Sequence, residues 1–69
     1  MDKERVITIK INGFTTKLLI PEEKEEVYRN AAKILNERIS VYNSKFSLPY
    51  PDILSMVAYE MAVEAMTLE

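Results

Sequence analysis

An α+β fold, in which a β-hairpin is followed by two α-helices (ββαα), is predicted by the order of patterns along this single 69-residue domain. Three observations carry that expectation. The dipeptide Asn12-Gly13 lies between two stretches of alternating apolar residues. Pro21 and a cluster of glutamates then open a run with apolar residues every three or four positions, and Pro49 and Pro51 interrupt that run before a second apolar segment begins.

The hairpin is expected over residues 4–20. Asn-Gly favours a two-residue type I′ turn because both central residues need positive φ, and such a turn fixes the strand register. Pairing then runs Ile11 with Phe14, Ile9 with Thr16, Ile7 with Leu18 and Arg5 with Ile20 on one face. The other face pairs Lys10 with Thr15, Thr8 with Lys17 and Val6 with Leu19, so it is polar with one apolar end. Because side chains alternate across a strand, this register gathers most of the apolar residues on one side. A two-stranded ribbon is barely stable alone, so that face must pack on a helix.

The first helix is expected over residues 21–46. Pro21 suits the first helical turn, and Glu22, Glu23, Glu25 and Glu26 place negative charge where the helix dipole favours it. Tyr28, Ala31, Leu35, Ile39, Tyr42 and Phe46 form the apolar stripe, widened by Val27, Ala32 and Ile34. Lys24, Arg29, Asn30, Lys33, Asn36, Glu37, Arg38 and Lys45 occupy the solvated remainder.

Residues 47–51 read as a loop, because Pro49 and Pro51 forbid continuation of the helix. Asp52 or Ser47 is the expected cap of the second helix, with Leu48 and Tyr50 tucked inward. That helix, over 52–69, is apolar on more than one face. Leu54, Met61 and Leu68 recur every seven residues with Val57, Ala58 and Ala65 between them, as on a coiled-coil seam. These six residues are the expected oligomer interface, while Ile53, Met56, Tyr59 or Glu60, and Val63 turn toward the chain's own fold.

Composition narrows the function. The chain has neither Cys nor His, which removes disulfides and the commonest metal ligand and leaves oligomerisation as the support for a small core. It has one Gly and no phosphate-binding loop, and its acids stand where helix starts and an i, i+4 pair place them. An enzyme is therefore not expected, and neither is a cofactor or a metal. Nothing resembles a secretion signal and no apolar run is long enough to span a bilayer, so the expected compartment is the cytoplasm, without membrane insertion. A net charge of -2 with scattered basic residues weighs against a nucleic-acid partner. The reading from that other class is a small DNA-binding or antitoxin-like dimeric regulator, with Thr8, Lys10, Thr15 and Lys17 facing a groove.

The order of elements, with Ile11-Asn12-Gly13, Pro21-Glu22-Glu23, Ala31-Ala32 and Leu35-Asn36-Glu37-Arg38-Ile39, resembles the ZapA family of bacterial cell-division proteins. In that family an I-x-G hairpin precedes a helix containing A-A-x-x-L-N-x-R-L at the same separations. Asp52-Ile53-Leu54 and Ala58, Ala62 and Ala65 look like its Ala-rich entry to a long helix. The resemblance implies a cytoplasmic, non-enzymatic dimer or tetramer at the division site that binds the tubulin-like GTPase FtsZ and cross-links its protofilaments. It also implies partner-binding cations on the second strand and near the end of the first helix, here Lys17, Arg38 and Lys45. Phe14 stands where some relatives are basic, and Asn43 replaces a Lys. Family members continue the second helix into a long coiled coil. The dipeptide Leu68-Glu69 matches what a common cloning junction leaves, so a longer natural helix is expected.

Overall fold

A computed structural model describes residues 3–68. Its element order is β1 (Glu4–Ile11), β2 (Phe14–Pro21), a 3₁₀ turn (Glu22–Lys24), α1 (Glu25–Lys45) and α2 (Tyr50–Thr67). This is the ββαα arrangement the sequence predicts. The chain divides into two compact units, one ending at Asn36 and one beginning at Glu37.

In the first unit, β1 and β2 pair antiparallel in the expected register, from Ile11 opposite Phe14 to Arg5 opposite Ile20. The cause is visible at the turn, where Asn12 has φ 50° and Gly13 φ 86°, the two positive values a type I′ turn requires. Asn tolerates that region better than most residues, and Gly occupies it without steric cost. Ile7 and Ile20 on the inner face are buried, whereas Val6 and Leu19 on the outer face are 61% and 63% exposed. Pro21 closes β2 rather than opening the helix: its ψ of 132° is extended. The chain turns through Glu22–Lys24, where the Glu22 N–H donates to the Lys3 carbonyl at 2.8 Å, and α1 proper starts at Glu25. Proline suited both places by its fixed φ, and ψ decided between them.

In the second unit, Ile39, Ile53 and Val57 are buried. The apolar stripe expected on α1 is covered over less of its width than its spacing suggested. Ile39 is its one buried residue, while Val27, Tyr28, Ile34 and Phe46 are exposed. A chain of this size has too little mass to enclose every apolar side chain. Tyr42 and Phe46, one turn apart, set their rings 5.8 Å between centroids at 35°.

The start of α2 also differs from expectation. Neither Asp52 nor Ser47 caps it. Pro49 is the N-cap and makes no side-chain capping bond, and Tyr50 and Pro51 are already helical. Pro49 supplies its carbonyl instead, accepting from the N–H groups of Asp52 at 3.0 Å and Ile53 at 3.1 Å. Pro51 loses nothing there, because a first-turn N–H has no partner inside the helix. Asp52 contributes as negative charge in the first turn. Leu48 is exposed and Tyr50 half-buried. At the other end, Leu68 closes the helix with its N–H donating to the Glu64 carbonyl at 3.0 Å. Glu69, the second residue of the suspected junction and the last of the expected helix, lies outside the described residues, as do the first two residues of the expected domain.

Candidate partner-binding surface

Polar side chains divide into those committed to the fold and those left facing solvent. At the base of the hairpin, Arg5 reaches from the inner face of β1 to Glu22 at 2.5 Å and Glu25 at 2.6 Å. Arg29, one turn along α1, holds the other Glu25 oxygen at 2.9 Å and donates to the Thr8 carbonyl at 3.3 Å. The hydrogen bonds from Arg29 and then Arg5 hold the Glu25 carboxyl below its ordinary range, since both favour the charged form. Asn36 completes this row. Its amide nitrogen donates to the Lys10 carbonyl at 2.8 Å, and its amide oxygen accepts from the Asn12 N–H at 2.7 Å.

Among the described residues of the second unit, the ion pairs form a network centred on Arg38. Its Nη1 lies 3.1 Å from Glu60 Oε1 and 2.8 Å from Glu64 Oε2, and its Nη2 donates to Glu64 Oε1 at 2.9 Å. Tyr42, one turn on, donates its hydroxyl to Glu60 Oε2 at 2.8 Å. The guanidinium thus makes a two-pronged contact with Glu64 while Glu60 is shared between a cation and a phenol. The bond to Arg38 pulls the Glu64 carboxyl down. The bond to Glu60, followed by burial, pushes the Tyr42 hydroxyl up, because ionising it would place two negative charges together.

The three cations expected at the partner surface therefore occupy different situations. Lys17 stands on the outer face of β2 opposite Thr8, exposed and without an ion pair among the described residues. Lys45 is the last residue of α1, equally exposed and unpaired. Arg38 is half-buried and bound to two carboxylates. The spacing of Glu60 and Glu64 signalled an i, i+4 pair on one helix, but nothing in the sequence tied Arg38 to it from 22 positions away. Asn36 falls among the residues expected on the solvated side of α1. Its one available signal was chemical: Asn is a poor helix former because its amide competes for backbone partners, which is what it does here.

The six residues expected at an oligomer interface also separate. Val57 is 0% exposed, enclosed by the chain itself, and so takes no part in any outer surface of the folded chain. Leu54 and Met61 are half-buried. Ala58, Ala65 and Leu68 are exposed, the last at 81% beside Met66 at 82%. The repeat placed Val57 in this seam because it follows Leu54 by three residues and precedes Met61 by four, which puts all three on one side of the helix, and the same spacing of four places Val57 above the buried Ile53.

Fold and surface together define a class: a small ββαα module of α+β type, bearing solvent-facing cations on its hairpin and first helix and an apolar flank along its second. Among the described residues no helix is long and apolar enough to cross a membrane, and no group of three or more acidic side chains is placed to hold a metal. The family model described as Cell division protein ZapA matches residues 7–69, and the chain belongs to that family. No curated protein and no solved structure matches it.

Proposed function

We propose that this chain is a non-enzymatic, cytoplasmic adaptor acting at the division site, which self-associates as a dimer or tetramer and binds FtsZ, cross-linking or bundling its protofilaments. The observation that carries the reading is the family match over residues 7–69, which takes in the hairpin, both helices and all three candidate cations. Two exposed lysines that pair with none of the described residues supply charge for an acidic filament surface at little folding cost. Arg38, held by Glu60 and Glu64, serves by keeping the second unit in shape.

Self-association falls to the exposed flank of α2, through Leu54, Ala58, Met61, Ala65 and Leu68. An oligomer with several identical heads grips neighbouring filaments by multivalency, so that individually weak contacts sum to a firm bridge. Co-sedimentation with polymerised FtsZ, alongside light scattering for the mass of the free protein, tests both parts. Enrichment in the pellet together with an even-numbered oligomer supports the adaptor; an oligomer that stays in the supernatant removes FtsZ as the partner. Lys17→Glu should reduce pelleting without lowering the melting temperature, since the residue is exposed and makes no ion pair with the described residues. Full pelleting by that variant would take Lys17 out of the contact.

A further inference from the structure

The two edges of the hairpin are not equivalent. In an antiparallel pair joined by a two-residue turn, alternate residues aim their N–H and C=O groups at the partner strand, and the others aim theirs outward. With Ile11 opposite Phe14 next to the turn, the outward set is Val6, Thr8 and Lys10 on β1 and Thr15, Lys17 and Leu19 on β2. The outward carbonyls of Thr8 and Lys10 are taken by Arg29 and Asn36 from α1, and Asn36 also takes the Asn12 N–H. No described group bonds the outward backbone of Thr15, Lys17 or Leu19. Helix side chains thus occupy the β1 edge at two carbonyls, while the outward groups of Thr15, Lys17 and Leu19 on the β2 edge are left open by the described residues.

We propose that the open edge of β2 receives an extended acidic segment of another protein as a third strand. Main-chain bonds to Thr15, Lys17 and Leu19 supply the affinity, and the side chains of the outer face supply the choice of segment. That face presents Thr15, Lys17 and Leu19 along the edge, with Thr8 and Val6 behind the last two. A fitting segment carries an acid opposite Lys17, an apolar residue two positions away beside the exposed Leu19, and a small polar residue beside Thr15. Laid antiparallel, it reads apolar, any residue, acidic, any residue, Thr or Ser.

Charge decides against a second copy of β2 in this place. A two-fold pairing centred on Lys17 sets Lys17 against Lys17, and like charges directly opposite are destabilising. Sliding the copy two residues one way leaves the two lysines diagonal neighbours with no acid between them. Sliding it the other way brings Pro21, which has no N–H, against the outward groups of Thr15. Lysine and proline are the residues with which natural edges resist self-pairing, and an acid on the incoming strand converts the guarding lysine into an anchor.

The proposal names the chemistry of a segment and its mode of pairing, and it holds whichever protein carries that segment. Failure to pellet with FtsZ and failure of strand addition are therefore separate results. The probe is the synthetic capped peptide Ser-Val-Thr-Glu-Thr-Thr-Ser, titrated to millimolar concentration into the ¹⁵N-labelled protein, beside a copy with Lys replacing Glu. Amide shifts should centre on Thr15, Lys17 and Leu19 and leave Val6, Thr8 and Lys10 in place. The Glu peptide should bind about fivefold more tightly than the Lys peptide, because the exchange turns an opposite-charge cross-strand pair into a like-charge one. Lys17→Glu should invert that preference, a readout that does not depend on a damaged fold. Thr15→Pro, which deletes one outward donor, should abolish binding, while Thr8→Pro on the β1 edge should not. Shifts on β1, equal binding of the two peptides, or no binding at millimolar peptide each overturn the proposal. So does an edge whose amides are protected in the free protein and lose protection on dilution, the mark of a second copy already seated there.

Discussion

Replacing Val57 with alanine separates the two roles that the sequence pattern of α2 had merged. Val57 is fully enclosed. The change deletes two buried carbons, each contributing about 0.8 kcal/mol of transfer free energy. The void they leave, about 50 Å³, adds on the order of 1 kcal/mol at about 24 cal/mol per Å³ where the surroundings do not relax. The expected loss is thus about 2–3 kcal/mol. A domain of this length holds only about 3–10 kcal/mol in total, at roughly 0.05–0.15 kcal/mol per residue. At about 4–8 °C per kcal/mol, the melting temperature should fall by about 10–20 °C. The assay is thermal denaturation followed by circular dichroism at several protein concentrations. Association adds stability only where subunits are concentrated enough to bind. The Val57→Ala shift should therefore persist at every dilution, whereas Leu68→Ala, at an exposed position, should lower the melting temperature only at high concentration. A Val57→Ala protein that melts within about 2 °C of the parent would show that the residue is not enclosed and that the inward row of α2 has been misplaced.

Further outcomes are expected elsewhere. Gly13→Ala puts a Cβ into open space but at φ 86°, so about 1–2 kcal/mol of backbone strain should appear in chemical denaturation. Asn36→Ala removes two hydrogen bonds at about 0.5–1.5 kcal/mol each, and hydrogen exchange should quicken at the Asn12 amide that Asn36 now holds. The Arg38 network predicts a pH dependence at both ends. Glu64 is held below its ordinary value of 4.5, so its contribution is present above 4.5 and lost as the pH falls through the lower folded value. The gap in melting temperature between parent and Arg38→Gln should accordingly be widest near neutrality and close in acid; a gap constant down to pH 3 would remove the ion pair as its source. Tyr42 is held above its ordinary value of 10.0, so its contribution is present below 10.0 and lost as the pH rises through the higher folded value. Tyr42→Phe should flatten that alkaline decline.

The register of the hairpin was legible to the residue because two independent signals agree on it. Asn12-Gly13 dictates the turn, and the two-residue alternation allows one register that gathers the isoleucines. Helix positions were legible to within a few residues, but their ends were not, since Pro21 and Pro49 are compatible with several backbone roles and the observed ψ values chose among them. The candidate surface was legible in part. Lys17 and Lys45 remain on the outside, where a solvated cation is expected. The commitment of Arg38 to Glu60 and Glu64 was hidden because periodicity tells which face of a helix a residue occupies but not which distant side chain meets it. The bonds from Asn36 and Arg29 to the β1 carbonyls were hidden for the same reason. Both residues read as helix surface, and the surface they cover belongs to a strand more than 20 positions earlier.

The contact between Arg38 and α2 sets position along an axis as well as strength. Burial of Ile39, Ile53 and Val57 gives α2 its packing, and a guanidinium answering to particular carboxylate oxygens adds a directional constraint on its lengthwise setting. Arg38 grips two carboxylates one turn apart, and Tyr42 grips the nearer one a second time. Moving α2 by one helical turn, about 5.4 Å, would bring Met56 or Leu68 to the guanidinium and release at least one acid. The cluster thus works as a detent, a notch with one tooth, and the height at which α2 carries its apolar flank is fixed to a single turn.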